Sequence, residues 1–290
     1  MFIKYKGMVN TVSICILILT VFIIVWFFGF NRRTDVDTRF YESGNSFHPN
    51  IKTKGLGIKF NFAFCGDPHV EKGISGNFPF LKKLILPYQI DFLVFPGDLT
   101  FQGKNEDYEM FNNLLDYTGL GYLVTVGNHD IYQNGWEYYK KFFSSSHYIF
   151  EIANTVFIVL DTAGGRLGDV QMSWLGKTLS SVKKEHIFVI THEPIFETNH
   201  GVYHISDANE REKLVKLLSL YHVDYVLQGH YHGFVTSEHD GVNYITSGSF
   251  GNAPLDNDVY HFLIFNVNGT NITYKKIDIP NSVNYRDEVL

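Results

Sequence analysis

Five short apolar runs in this chain each end in a polar cluster that carries Asp, Asn or His. Residues 58–65 (IKFNFAFC) run into Gly66-Asp67-Pro68-His69, and 91–95 (DFLVF) into Pro96-Gly97-Asp98. Residues 121–126 (GYLVTV) lead to Gly127-Asn128-His129-Asp130, and 186–190 (HIFVI) to Thr191-His192-Glu193. Residues 223–227 (VDYVL) lead to Gly229-His230-Tyr231-His232. Apolar runs this short read as strands buried on both faces, the pattern of a parallel sheet. Helical periodicity lies between them. It predicts a short helix over 77–86 and a second over 106–117, with Met110, Phe111, Leu114 and Leu115 on one face. Further helices are expected over 171–179 and over 208–220, where Leu214, Val215, Leu217 and Leu218 point inward. Strand, polar tip and helix recur at about thirty-residue steps, the length of a βαβ unit. The fold class is therefore α/β.

Two hairpins complete the pattern, one around Ala153-Asn154 and one around Asn268-Gly269. No Gly/Ser-rich or Pro-rich linker divides 58–280, which reads as one domain, with 281–290 as a tail. Ahead of it, residues 31–57 are polar and aperiodic and look like a stalk or linker. Residues 12–30 (VSICILILTVFIIVWFFGF) form a nineteen-residue run without a charge, flanked by Lys4 and Lys6 on one side and Arg32 and Arg33 on the other. A helix of about 20 apolar residues spans a bilayer. No small-residue cleavage site closes the run. Residues 1–30 are accordingly expected to be an uncleaved single-pass anchor in the lipid bilayer. The short amino-terminal tail favours an extracytoplasmic domain.

Composition narrows the function. The formal charge is −6, so an extended nucleic-acid footprint, which needs a basic face, is not expected. Two cysteines, Cys15 in the apolar run and Cys65 in the first strand, cannot build a disulfide framework. Cys65 reads as a buried core thiol. Histidine is abundant, at thirteen residues. In open α/β sheets, sites form beyond the carboxyl ends of the strands, where the five polar tips converge. A lone Gly-Asp or His is most often a turn or a satisfied side chain. Five tips rich in metal-capable groups, and without Lys or Arg, call for a cation.

The blocks Asp67-Pro68-His69, Gly97-Asp98, Gly127-Asn128-His129-Asp130, Thr191-His192 and Gly229-His230-Tyr231-His232 occur in the order of the calcineurin-like metallophosphoesterases, and 58–280 resembles that family. The wording is closest to its cyclic-nucleotide-phosphodiesterase-like branch. The resemblance implies a four-layer α/β/β/α sandwich holding two divalent ions drawn from Mn, Fe, Zn, Co or Ni. It assigns Asp67, His69, Asp98 and His232 to one ion. It assigns Asp98, Asn128, His192 and His230 to the other, with Asp98 bridging. It further implies hydrolysis of a small phosphomono- or phosphodiester by a metal-bridging hydroxide, with His129 as general acid. A metal-binding scaffold or receptor with weakened catalysis, and a nuclease of the superfamily, are the alternatives.

Departures from the pattern matter. Many members carry Asp three residues after the bridging Asp, where it orients the general-acid histidine; here that position is Phe101. Phe101 and His69 also argue against a Tyr-ligated ferric site. The absence of an Asp-Arg-Gly extension argues against a Ser/Thr protein phosphatase. His200, His204 and Tyr231 are expected to line the substrate cleft. Ser247 and Ser249 lack an evident base that would make either a nucleophile.

Overall fold

The computed structural model describes residues 34–44, 49, 51, 57–72, 76–198 and 204–280, all in one unit of the chain that begins at Thr34. The apolar run 12–30 and the tail 281–290 lie outside the described residues. Among those described, no helix is long and apolar enough to cross a membrane. The elements in chain order are α1 (Val36–Glu42), β1 (Lys59–Phe64), α2 (Leu81–Ile85), β2 (Phe92–Phe95), α3 (Asn105–Thr118), β3 (Gly121–Val124), α4 (Gly135–Phe143), β4 (Tyr148–Ile152), β5 (Thr155–Val159), α5 (Asp169–Ser181), β6 (His186–Ile190), α6 (Ala208–Leu220), β7 (Tyr225–Gln228), β8 (Phe234–His239), β9 (Val242–Ser247), β10 (His261–Asn268) and β11 (Asn271–Asp278).

The strands form a five-stranded sheet, β11-β10-β1-β2-β3, and a six-stranded sheet, β4-β5-β6-β7-β9-β8. The centre of each is parallel: β1, β2 and β3 in the first, and β5, β6, β7 and β9 in the second. Antiparallel strands close the rest. Three apolar cores separate four layers. One joins the first sheet to α2, α3 and α4. The second lies between the sheets, and the third joins the second sheet to α5 and α6. This is the expected α/β/β/α order.

The inter-sheet core is built from aromatic ladders. Phe62 pairs in register with Phe92 and Phe265, while Phe157 pairs with Phe188 and Phe188 with Tyr225. Phe62 stacks on Phe265 at 4.8 Å and meets Phe157 and Phe188 edge-on at 5.3 and 5.5 Å. Burying one such ring contributes about 1.5–3 kcal/mol, and offset or edge-on geometry adds to it. The ladders hold the two sheets face to face, so their strand tips open on a common edge.

Local signals explain the helix ends. The first turn of α3 carries Glu106 and Asp107, and the helix stops at Gly119 in the left-handed region. In α6 the Asp207 side chain accepts from the amides of Asn209 and Glu210.

Part of the expected stalk is folded. Residues Val36–Glu42 form α1, and Asp35 caps its amino terminus. Arg39 is fully buried and donates to Asp161 at 2.7 and 2.8 Å, while the Trp136 indole donates to Glu42 at 2.6 Å. The segment is polar by composition yet docked, because its one buried charge meets a buried partner.

Candidate metal centre

Each expected ligand sits at the carboxyl end of a parallel strand: Asp67 and His69 after β1, Asp98 after β2, Asn128 after β3, His192 after β6, and His230 and His232 after β7. The chain bends sharply to place them. Asp67, His69, Asp98 and His230 have φ of 48°, 46°, 48° and 64°. Left-handed backbone costs a residue with a side chain about 1–3 kcal/mol, and such strain gathers at functional sites. The flanking glycines are needed for space. A Cβ on Gly97 would lie 2.7 Å from His192 Nδ1, and one on Gly127 would lie 2.2 Å from the Asp98 amide nitrogen. The Gly-Asp and Gly-Asn pairs thus let the two loops close on one another.

Among the described residues, three overlapping groups have ligand atoms within 4.8 Å of one another: Asp67, His69 and His232; His69, Asp98 and His129; and Asp98, His192 and His230. Asp98 reaches both sides, with Oδ2 3.4 Å from His69 Nε2 and Oδ1 3.4 Å from His192 Nε2. Asp67 Oδ2 is 3.4 Å from His232 Nε2. His192 fixes the electrostatics. Its Nδ1 is 2.9 Å from the Pro96 carbonyl, which can only accept, so in the neutral ring Nε2 presents a lone pair. That lone pair faces Asn128 Oδ1 at 2.9 Å and His230 Nδ1 at 3.2 Å.

Acceptors aimed at one another at these distances fit a cation between them. Donor atoms bound at about 2.0–2.2 Å and at right angles stand about 3 Å apart, close to the spacing here. Both oxygens of Asp67 and both ring nitrogens of His69 are buried without a hydrogen-bond partner. Burial, reinforced by Asp98, pushes the Asp67 carboxyl well above its ordinary pKa. Burial also opposes the Asp98 carboxylate, but His192 and His69 outweigh it and hold its pKa well below the usual range. Burial likewise opposes charge on His192, yet Asp98 and Asp67 raise its pKa. A mixed imidazole and carboxylate set suits first-row divalent ions.

His129 lies beside this cluster, its ring 4.6 Å from that of His69. Its amide donates to Asp98 Oδ1 at 2.8 Å. The acceptor that replaces the missing carboxylate is the Phe101 carbonyl, 2.7 Å from His129 Nδ1. Position 101 therefore still orients the ring, through backbone. Burial lowers the His129 pKa, against the pull of Asp98.

Other side chains support the site. Asp130 is fully buried and accepts from the amides of Leu99, Thr100 and Gly127 at 3.1, 3.0 and 2.9 Å. It thereby ties the loop after β2 to the loop after β3. Burial, with Asp98 adding to it, raises its pKa to about 6. Its place in the Gly-Asn-His-Asp block was the available signal. Glu193, beside His192 in sequence, stands 3.2 Å from His230 Nε2; its charge next to a ligand histidine was the signal there.

Two expectations change, those for Tyr231 and Ser247. Tyr231 is 1% exposed, and its hydroxyl bonds Asp256, so it packs the loop and does not line a cleft. His200 lies outside the described residues, and His204 is half-buried in the loop before α6. Ser247 does face a base, His261 Nε2 at 2.9 Å. Both residues are fully buried, so the pair joins β9 to β10 across the sheets and meets no substrate. Cys65 is buried and unpaired, and burial pushes its thiol pKa up.

The family model of the calcineurin-like phosphoesterases matches residues 60–234. The chain belongs to this family. Over 173 residues it is 28% identical to "Probable glycerophosphodiester phosphodiesterase GpdQ" of Arcobacter nitrofigilis, covering 55% of this chain and 63% of that protein, which is less than two thirds of its length. It is 27% identical over 190 residues to a 3′,5′-cyclic-nucleotide phosphodiesterase of Nostoc, covering 61% of this chain and 71% of that protein. A purple acid phosphatase from yellow lupin seeds shares the fold, with a TM-score of 0.63 at 16% identity over 77% of this chain and 52% of its own. So does GAP50, the anchor in the inner membrane complex of Plasmodium, with a TM-score of 0.59 at 18% identity over 76% of this chain and 84% of its own.

Proposed function

We propose that this chain is a dinuclear metal-dependent phosphoesterase that hydrolyses small phosphodiesters. The observation that carries the reading is the set of mutually facing acceptors at the strand tips, centred on His192 Nε2 and the two oxygens of Asp98. The names of the two relatives, a glycerophosphodiester phosphodiesterase and a cyclic-nucleotide phosphodiesterase, favour a diester over a monoester.

Asp67, His69, Asp98 and His232 would hold one divalent ion, and Asp98, Asn128, His192 and His230 the other. When bound, such a pair supplies charge neutralisation for phosphoryl oxygens and lowers the pKa of water. The chain's own residues do the rest. Asp98 spans the two half-sites with one oxygen toward each. The Pro96 carbonyl fixes the His192 tautomer. The Phe101 carbonyl accepts the Nδ1–H hydrogen bond of His129, so the imidazolium form of the ring would carry its second proton on Nε2 and give that one to the departing oxygen. Delivery leaves the neutral ring with its proton on Nδ1, the form the Phe101 carbonyl holds.

We further propose residues 12–30 as a membrane anchor, on the strength of their length and lack of charge. Two experiments test the whole. Aryl phosphate di- and monoesters are assayed with Mn, Zn, Fe, Co or Ni; metal-dependent diester turnover is expected, and a folded protein inert with every metal would refute the reading. Membrane fractionation of the full chain should retain it after an alkaline wash, whereas release into the supernatant would remove the anchor.

A further inference from the structure

His230 is held at both ring nitrogens. Its Nδ1 points inward, 3.2 Å from His192 Nε2, and its Nε2 points at Glu193 Oε2, also 3.2 Å away. Glu193 is mostly withdrawn from solvent, with its side chain 9% exposed. Its position is fixed by the turn that carries His192. The amides of His192 and Glu193 both donate to Thr162 Oγ1, at 3.0 and 2.8 Å, and the Thr191 hydroxyl donates to the Glu193 carbonyl at 3.1 Å. The amide of Gly229 donates to the His192 carbonyl at 3.0 Å, which docks the His230 loop on the same turn.

A carboxylate beside Nε2 selects the tautomer with the proton on that nitrogen. The lone pair then sits on Nδ1, facing Asp98 and His192. A carboxylate behind a ligand imidazole also raises the basicity of the ring. His192 has only the neutral Pro96 carbonyl in the equivalent role. The two imidazoles of one half-site are therefore backed unequally, and the charged support falls on His230, the more exposed of the pair.

We propose that Glu193 is a positioning residue for the second ion: it orients His230 and sets how tightly the half-site of Asp98, Asn128, His192 and His230 holds its metal. This rests on the dinuclear reading above.

The test is equilibrium titration of the metal-free full chain with Co²⁺, following bound metal and the visible ligand-field bands, for the wild type, Glu193→Ala and Glu193→Gln. Wild type should bind two ions. Glu193→Ala should weaken one of them about 10–100-fold, leave the other unchanged, and alter the bands. Glu193→Gln, whose amide oxygen accepts the same hydrogen bond without the charge, should recover part of the affinity and the wild-type spectrum. Wild-type affinities and spectrum in Glu193→Ala would overturn the proposal while leaving the dinuclear reading intact. Equal loss in Ala and Gln would also overturn it, by showing that no hydrogen bond from position 193 orients His230. A wild type that binds no metal would remove the dinuclear reading and this proposal together.

Discussion

Two buried clusters of charge sit in this domain, and they are finished differently. Where α1 docks, Arg39 and Asp161 are 0% and 1% exposed and meet through two hydrogen bonds of 2.7 and 2.8 Å. Asp161 also accepts from the Ala163 amide at 3.1 Å. The cluster closes on itself. At the strand tips Asp67 is just as buried, but neither of its oxygens has a hydrogen-bond partner. A buried charge is tolerated when it is paired or binds a metal. One cluster carries its counter-charge within the chain and is structural; the other has the donor set of a cation site. They are linked through one turn, since Thr162, next to Asp161 in sequence, accepts from the amides of His192 and Glu193.

Mutations on the two sides should separate stability from chemistry. His129→Ala should lower kcat about 10²–10⁴-fold, the usual worth of a general acid, most steeply for substrates with poor leaving groups. Metal content by elemental analysis should stay at the wild-type level; loss of metal would make His129 structural. Arg39→Ala should do the reverse. It leaves Asp161 buried and alone, which costs about 3–5 kcal/mol, read as a lower urea midpoint. Both ions should remain in the folded fraction, and an unchanged midpoint would show that α1 is not needed for stability.

The smallest effect is a pH dependence at the same dock. The His147 ring stacks on Phe40 at 3.9 Å, and burial lowers its pKa to about 4, against the pull of Asp161. The unfolded chain, with histidine near about 6.5, therefore holds the extra proton between those values. The His147 contribution is complete above about pH 6.5 and drains away as the pH falls toward about 4. His147→Phe keeps the ring and should flatten that part of the stability profile. An equally steep fall in the variant would place the acid sensitivity elsewhere.

The same contrast explains what the sequence made legible. The parallel strands announced themselves because strands buried on both faces are continuous apolar runs. The tips did so because Asp, Asn and His at the ends of such runs have few structural uses in common. Helix α1 was hidden, since VDTRFYE reads as a solvated segment unless the partner of Arg39 is known. The β8–β9 hairpin carried a turn signal, Asp240-Gly241, but β8 is mostly polar and half of it is exposed, so its strand pattern was faint. Helix α4 begins at a glycine and has no side-chain cap, and so lacks the usual start signal. The support of His129 by the Phe101 carbonyl was out of reach, because any residue supplies a carbonyl and only the backbone path decides where it points.

The most direct test of the open cluster is metal stoichiometry. Purified wild-type chain, metal-loaded and then dialysed, should carry two divalent ions by elemental mass spectrometry. Asp98→Asn, which removes the anionic oxygen pair shared by both half-sites, should carry neither. Wild type without tightly bound metal, or Asp98→Asn retaining both ions, would contradict a shared dinuclear centre at Asp98.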